Sequence, residues 1–441
     1  MEVLKFGGSC LTDKEDLAKT IRIVRSTKRP VLVLSALKGV TDLLIQKINE
    51  ALAGKVEIGD IEMKHYSALG NLKKPQDVIE RLDAHFSEIK NTLTGIRYLG
   101  EVTPSIHDKI VSFGERLSVE IMAAYLNEAG INAKAFSDIG SYIITDNNYK
   151  DATILDESKP LIRKKVLGFD GVPVIPGFVG VSKEGKITTL GRGGSDYTAT
   201  YVAAALKCGV TLYKDVDGLM TADPKLVENA RIVEKIHYND ALEIAHYGSK
   251  VIYEKAIAPA VEANIPILIK NFHGHGKGTM ICNDETDTLV VSAVKNAAMI
   301  DMFGYSEKMM AEFATMIAGF GRLNIYPLLL VESSSFGEIS IVVDSKHLEK
   351  VERIIKDTNG KRNIEIKKDV GVVSVIGSAM KGKVGTAARV FDALAEEKIN
   401  VIGISQSASE RNISVVIENK DVPSAVKKLH KVFIERGLKK K

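Results

Sequence analysis

Short apolar runs alternate along the chain with longer stretches whose apolar residues recur every three or four positions. The runs at Val3-Leu4-Lys5-Phe6, Pro30 to Ala36, 131–136, 172–176, 186–190, 209–213 and 265–269 read as strands. Pro30 to Ala36 has no polar alternation, which suits a strand covered on both faces of a parallel sheet. Helical periodicity fills Asp13 to Arg25, resumes from Thr41, and persists over 42–128 with breaks near Gly54, Gly70, Pro75 and Pro104. An Ala-rich helix is predicted over Asp196 to Lys207, stopped at Gly209. Strands alternating with helices point to an α/β domain with a mainly parallel sheet.

Beyond about residue 288 the pattern repeats itself. Glu312 to Val343 and Arg389 to Ile417 each run helix, Asn-Ile or Asn-Val (Asn324, Asn400) opening a strand, a Ser-rich turn, and a second strand. A further helix closes each copy, so each reads as a βαββαβ module. Two copies are too few for a solenoid, and neither holds a nucleophile or an acid/base pair, which suggests a binding and oligomerisation unit.

Composition narrows the picture only slightly. A chain of 441 residues, 45% hydrophobic and 26% charged, is expected to fold as two or three globular domains. Its net charge of +4 gives no reason to expect nucleic acid as a partner. Three widely spaced cysteines (Cys10, Cys208, Cys282) suit a reducing compartment. No leader or membrane-length apolar run is visible, so the cytoplasm is the expected location and no membrane partner is expected.

The chemistry gathers at glycine turns. In Thr188-Thr189-Leu190-Gly191-Arg192-Gly193-Gly194-Ser195-Asp196, a strand end meets a helix start across glycines. The turn reads equally as a plain N-cap by Ser195 or Asp196 and as an anion site on helix N–H groups. Arg192, flanked by glycines, favours bidentate capture of a carboxylate. Lys5 precedes Gly7-Gly8 in the wrong order for a Walker loop, and the turn reads as either a surface lysine or a phosphate cradle. Ser35 ends a strand, where open α/β sheets bind ligands. Glu115 points away from the Leu117/Ile121 stripe, as an exposed glutamate or as a carboxylate for a substrate ammonium. Asp215-Val216-Asp217-Gly218 and Asp223-Pro224 are turn chemistry but lack EF-hand spacing, and Lys214, Lys225 and Lys250 add positive charge. His273-Gly274-His275 lacks further metal ligands and reads as a loop.

Taken together, these motifs resemble the aspartokinases of the amino-acid kinase family, nearly end to end. The resemblance rests on Lys5-Phe6-Gly7-Gly8-Ser9-Cys10, Val33-Leu34-Ser35-Ala36 with Thr41, Phe113-Gly114-Glu115, Gly177-Phe178-Val179-Gly180 and Leu190 to Ala199. It extends through Asp215 to Leu219, Thr221 to Pro224 and Gly248-Ser249-Lys250-Val251. It implies an αβα sandwich with a mainly parallel sheet over 1–288, followed by two ferredoxin-like ACT domains, 300–360 and 289–299 plus 361–441. It further implies ATP-dependent phosphorylation of the L-aspartate side-chain carboxylate, with Mg²⁺ bridging the phosphates and no side chain assigned to the metal. Lys5 and Asp196 would be catalytic. Ser35, Thr41, Glu115, Phe178, Arg192, Gly194 and Ser195 would bind aspartate. Lys5, Gly7, Gly8, Lys214, Asp215, Met220, Lys225, Lys250 and Val251 would bind ATP. Lysine or threonine would act at the ACT domains of a homodimer or dimer of dimers.

The sequence departs from the family pattern at Ser9-Cys10, where Thr-Ser is usual, and at Met220, Lys225 and Tyr253, where an aromatic, Arg and His are frequent. The first ACT copy lacks the glycine before its helix, whereas the second keeps Gly382-Lys383-Val384-Gly385. A kinase of the same fold acting on glutamate, acetylglutamate or UMP, and a non-catalytic ACT sensor, are the alternatives. The chain ends just after the duplicated tail, so no homoserine dehydrogenase part is expected.

Overall fold

A computed structural model describes residues 1–10, 14–70, 72–249, 251–304, 307–333, 337–357 and 364–437. Lys250 of the expected nucleotide set and Ser306 of the first ACT copy lie outside them. The chain forms two compact units, Met1–Gly218 with Val251–Asn283, and Leu219–Lys250 with Asp284–Lys441. The second unit thus claims 219–250, which the sequence reading counts with the kinase domain.

The first unit opens with β1 (Glu2–Phe6), α1 (Lys14–Ser26) and β2 (Pro30–Leu34). The long helical region becomes α2 (Val40–Leu52), α3 (Gly59–Ala68), α4 (Gln76–Leu99), α5 (Pro104–Val111) and α6 (Phe113–Glu128). Then come β3 (Ala133–Ala135), β4 (Ile144–Thr145), α7 (Ser158–Leu167), β5 (Val172–Pro176), β6 (Val179–Ser182) and β7 (Ile187–Thr189). α8 (Gly194–Leu206) and β8 (Val210–Lys214) follow, and the second unit takes β9 (Lys235–His237) and α9 (Tyr238–His246). The chain re-enters the first unit for α10 (Glu254–Ala263), β10 (Ile267–Asn271) and β11 (Thr279–Cys282).

Within this unit the main sheet runs β3-β5-β2-β1-β8-β10-β11, parallel except at β11. β2 is buried along its whole length, as its unbroken apolar run requires. β1 is flanked by β2 on one side and β8 on the other, so strand order reverses beside β1. Such a switch point opens a crevice at the carboxyl ends of the strands. Residues 186–190 do not join this sheet. β7 pairs antiparallel with β6 in a separate three-stranded sheet, β4-β6-β7. α8 also departs from expectation: Gly193 occupies the N-cap with no side-chain bond, and Lys207, at φ 53°, ends the helix before Gly209.

In the second unit the strands of the two repeated halves join in one six-stranded antiparallel sheet. Its long members are β12 (Val290–Phe303) and β15 (Ile364–Ile376). α11 (Glu307–Arg322), β13 (Leu329–Ser333), β14 (Glu338–Asp344) and α12 (Leu348–Asp357) lie between them in sequence. α13 (Thr386–Glu396), β16 (Gly403–Gln406), β17 (Asn412–Glu418) and α14 (Val422–His430) follow β15. The order β13-β14-β12-β15-β17-β16 puts both long strands at the centre, shared by the two halves. The outer strands approach one another, since a Cβ on Gly403 would lie 3.5 Å from Val331 Cγ2. Asn324 does not open a strand; it turns in the left-handed region at φ 51°, and β13 starts later. Among the described residues no helix is long and apolar enough to cross a membrane.

Candidate active site

The crevice at the switch point is a cavity of about 400 Å³. Lys5, Gly8, Ser35, Thr41, Glu115, Phe178, Arg192, Gly194, Ser195 and Asp196 line it, with Leu37, Lys38, Gly39 and Asp42. Most residues expected to bind aspartate or act on phosphate therefore share one wall-to-wall space. Lys38, Gly39 and Asp42 were not anticipated; the signal was a cationic turn directly after the Ser35 strand end.

At its floor lies the Lys5–Asp196 ion pair, which Lys214 extends to a triad from outside the cavity lining. Lys5 leaves the end of β1 and its Nζ lies 2.8 Å from Asp196 Oδ1. Lys214, at the end of β8, pairs with the other carboxylate oxygen. Asp196 stands in the first turn of α8, where the helix dipole also favours a negative charge. Burial pushes the Asp196 carboxyl up, but the two ammonium groups outweigh it and hold the pKa at about 2. Burial lowers the Lys214 pKa, partly offset by Asp196. Asp196 thus stays ionised at neutral pH, paired with both ammonium groups.

Gly8 fits where it does because nothing larger can. A Cβ there would stand 2.6 Å from the Ala36 carbonyl oxygen, so the β1 and β2 ends meet backbone to backbone. Gly7 has more room, its nearest neighbour being Lys5 Nζ at 3.6 Å. Burial raises the thiol pKa of Cys10, next in the turn, to about 11.

Glu115 is buried, not exposed. α6 is enclosed on nearly all faces, so the side away from Leu117 is interior too. Its Oε1 accepts the Ala36 N–H at 3.1 Å, while Oε2 is buried with no hydrogen-bond partner among the described residues. Burial pushes its pKa up to about 8, although the Ala36 bond and the Lys5 charge favour ionisation. Ser118, one turn on, donates to the Ser35 carbonyl at 2.9 Å and joins α6 to the end of β2.

Opposite lies the Gly191–Gly194 turn. Gly191 and Gly193 have φ 75° and φ 73°, a region open to glycine at little cost. Arg192 is exposed and has no hydrogen-bond or ion-pair partner among the described residues. Phe178 adopts φ 66°, unusual for an aromatic residue, and is held from two sides. Its N–H donates to Thr198 Oγ1 at 3.0 Å, and its carbonyl accepts the Leu190 N–H at 2.9 Å. Among the described residues no side chain caps α8; its Gly194 N–H bonds the Gly191 carbonyl at 3.0 Å, which leaves the N–H groups of Ser195 and Asp196 available to an anion.

The other expected nucleotide residues divide between the units. Gly7, Lys214, exposed Asp215 and half-buried Val251 belong to the first unit but do not line this cavity. Met220 and Lys225 belong to the second, where Met220 bridges to Ile232 and the Lys225 N–H bonds Asp223 Oδ1 at 2.9 Å. Among the described residues no three His, Cys, Asp or Glu side chains cluster as a metal site. His273 instead lies 3.6 Å from Asp16. Sequence reasoning also missed Asp108 and Lys255, whose contacts below span large separations in the chain.

The amino acid kinase family profile matches residues 1–271, and an ACT domain profile matches residues 373–433. Aspartate kinase of Pseudomonas fluorescens is 32% identical, covering 89% of this chain and 97% of that protein. The bifunctional aspartokinase/homoserine dehydrogenase of Buchnera aphidicola is 31% identical over 98% of this chain, which spans only 56% of that protein's length. Crystal structures of Escherichia coli aspartokinase III superpose with TM-scores of 0.85, for its complex with aspartate and ADP, and 0.77, for its complex with lysine and aspartate. They are 25% and 26% identical, and each comparison covers 98% of this chain and 99% of the other. This chain belongs to the aspartokinases, within the amino acid kinase family, and carries an ACT region after its kinase part.

Proposed function

We propose that the chain transfers the ATP γ-phosphoryl group to the side-chain carboxylate of L-aspartate, giving 4-phospho-L-aspartate. The observation that carries this reading is a buried carboxylate oxygen on Glu115 with no partner among the described residues, in the same cavity as the Arg192 guanidinium and the Lys5–Asp196 ion pair, which Lys214 joins from outside the cavity lining. An α-amino acid offers an ammonium and a carboxylate to the first two groups, leaving its side-chain carboxylate for the third.

The reaction needs little acid/base chemistry. The acceptor carboxylate is already anionic at neutral pH, and the obstacle is repulsion between it and the phosphate. Lys5 would neutralise the transferring phosphoryl group, with the Gly8 turn and the N-terminus of α8 beside it. Asp196 would hold Lys5 and Lys214 in place without taking a proton. Glu115 would receive the substrate ammonium and Arg192 its α-carboxylate, with Ser35, Thr41, Phe178, Gly194 and Ser195 shaping the pocket. Mg²⁺ would arrive on the nucleotide phosphates and supply further charge neutralisation there. The nucleotide would extend toward Gly7, Lys214, Asp215 and Val251.

Regulation and assembly are part of the same proposal. Lysine, found on Escherichia coli aspartokinase III, is the first effector to test at the ACT region, and threonine the second. Exposed Tyr326, Leu330 and Ile404 on or near its outer strands support a homodimer.

Trapping the acyl phosphate with hydroxylamine tests the chemistry directly. Aspartyl hydroxamate should form with ATP and aspartate and far less hydroxamate with glutamate or N-acetylglutamate, while UMP, whose product is no acyl phosphate, should give little ADP release. A preference for any other acceptor would overturn the assignment.

A further inference from the structure

Among the described residues the Arg192 side chain has no hydrogen-bond or ion-pair partner, so its reach depends on where its backbone turn sits. Two buried-facing charges from distant helices hold that turn. Asp108 on α5 is fully buried, and its Oδ2 accepts the N–H of Thr189 at 2.8 Å and the N–H of Lys150 at 2.8 Å. Its Oδ1 lies 3.3 Å from His107 Nδ1. Lys255, in the first turn of α10, places Nζ 2.8 Å from Asp151 Oδ1 and 2.8 Å from the Ala152 carbonyl. The same ammonium approaches the Asp151 carbonyl at 3.2 Å and the Leu190 carbonyl at 3.3 Å. It also lies 5.4 Å from the centre of the Tyr197 ring.

Both charges bond the same two backbone segments. One is 150–152; the other is Thr189-Leu190, the residues immediately before Gly191-Arg192. The two segments bond each other as well, through the Ala152 N–H and the Thr189 carbonyl at 2.9 Å. The Asp151 carboxylate then lies directly under Gly191, where a Cβ would meet Asp151 Oδ1 at 2.4 Å. On the far side of the arginine, the Tyr253 ring packs against Gly193, where a Cβ would come within 2.4 Å of Tyr253 Cδ2. The arginine therefore projects from a turn gripped on both flanks.

We infer that Lys255 and Asp108 are positioning residues for the amino-acid substrate: they clasp segment 150–152 to Thr189-Leu190 and thereby set the placement of the Arg192 guanidinium. The inference rests on the reading of Arg192 as the clamp for the α-carboxylate. It assigns selectivity in the damage: loosening the clasp should weaken aspartate binding and leave the nucleotide side and the Lys5–Asp196–Lys214 triad alone. A displacement of about 1 Å in a positioned group can cost on the order of a hundredfold.

The test measures KM for aspartate, KM for ATP and kcat in the intact chain for Lys255→Met, Lys255→Arg and Asp108→Asn, each checked by circular dichroism. Lys255→Met should raise KM for aspartate about tenfold or more, with kcat and KM for ATP within about twofold. Lys255→Arg, which keeps charge and several donors, should recover most of the loss. Asp108→Asn keeps an acceptor but loses charge, and should shift KM for aspartate the same way by less. A double-mutant cycle separates clasp from bulk structure, since Lys255→Met should add little in an Arg192→Lys background if it acts through Arg192. Additive losses, or equal losses for ATP and aspartate, would overturn the inference. If Arg192→Lys itself left KM for aspartate unchanged, the clamp reading would fail instead. If Arg192→Lys raised KM while Lys255→Met and Asp108→Asn did not, only the clasp would fail.

Discussion

Glu115 shows how one buried side chain sets a pH dependence. Its carboxyl has a pKa of about 8 in the free site because burial disfavours its charge and one oxygen lacks a partner. A substrate ammonium binds the ionised form, which at lower pH is the minor one. Each pH unit below the pKa then reduces the competent fraction about tenfold, so KM for aspartate should fall about tenfold per unit as pH rises from about 6 toward 8. Glu115→Gln should raise KM overall and flatten this slope; a flat profile in the unaltered protein would sink the assignment. Lys5→Ala tests the opposite wall. Removing one preorganised charge from the transferring group typically costs about 2.7–4 kcal/mol, a hundredfold to a thousandfold in kcat. Lys214 still pairs with Asp196 in that variant, so the fold should survive, and near-normal turnover in a folded protein would place the phosphoryl group elsewhere. The sequence made Lys5, Arg192 and Asp196 visible because glycines and strand ends surround them. Asp108 and Lys255 stayed hidden, since each is an ordinary helical charge until a contact such as Lys255 to Asp151, across 104 residues, makes it structural.

At the scale of elements, the site is the meeting of β1, β2, β8 and the start of α8, and one close backbone contact there is the approach of Gly8 to Ala36. Gly8→Ala would drive a methyl group into a backbone oxygen between two central strands, neither of which can retreat. Overpacking of that kind costs about 1–3 kcal/mol and should displace the phosphate turn, raising KM for ATP. Gly7→Ala is the internal control, because a Cβ there meets nothing closer than 3.6 Å. Thermal melts and ATP kinetics on both variants check the contrast; equal behaviour would mean that the turn is not limited by this contact. Strands and helices were legible because burial imposes period two, period 3.6 or an unbroken apolar run. Their partners were less so. The stretch 186–190 has the composition of a central strand, yet β7 pairs only within a small side sheet, which frees the following turn to carry Arg192. α6 looked amphipathic around Glu115, but neighbours cover its polar face as well, and no local pattern records that cover.

At the scale of the whole molecule, the instructive segment is 219–250. The pattern of strands and helices suggested a boundary near residue 288, because the repeated tail begins there. Packing draws it differently, since apolar side chains early in 219–250 have no core of their own. Ala222 and Val227 share a buried cluster with Val291, Val373, Val375, Leu394 and Phe433. Thr221 adds polar ties within the same unit: its carbonyl accepts the Val291 N–H at 2.8 Å, and its hydroxyl lies 3.0 Å from Nε2 of fully buried His430. A second set joins Asp240 to Arg411 at 2.9 Å, with Asn412 bonded to Glu243. Cutting the chain after residue 288 is therefore expected not to release a self-contained kinase part. It strips cover from Ala222 and Val227 and leaves Asp240 without its guanidinium. Re-exposing a buried side chain of valine size costs about 1.5–3 kcal/mol, and losing one partner of a buried ion pair about 3–5 kcal/mol. The fragment 1–288 should consequently melt well below the full chain, bind a hydrophobic dye such as ANS, and recover neither on addition of ATP and aspartate. Calorimetry and dye titration on the two proteins decide the matter: a fragment as stable as the full chain, with no dye binding, would show that 219–250 folds without the ACT region.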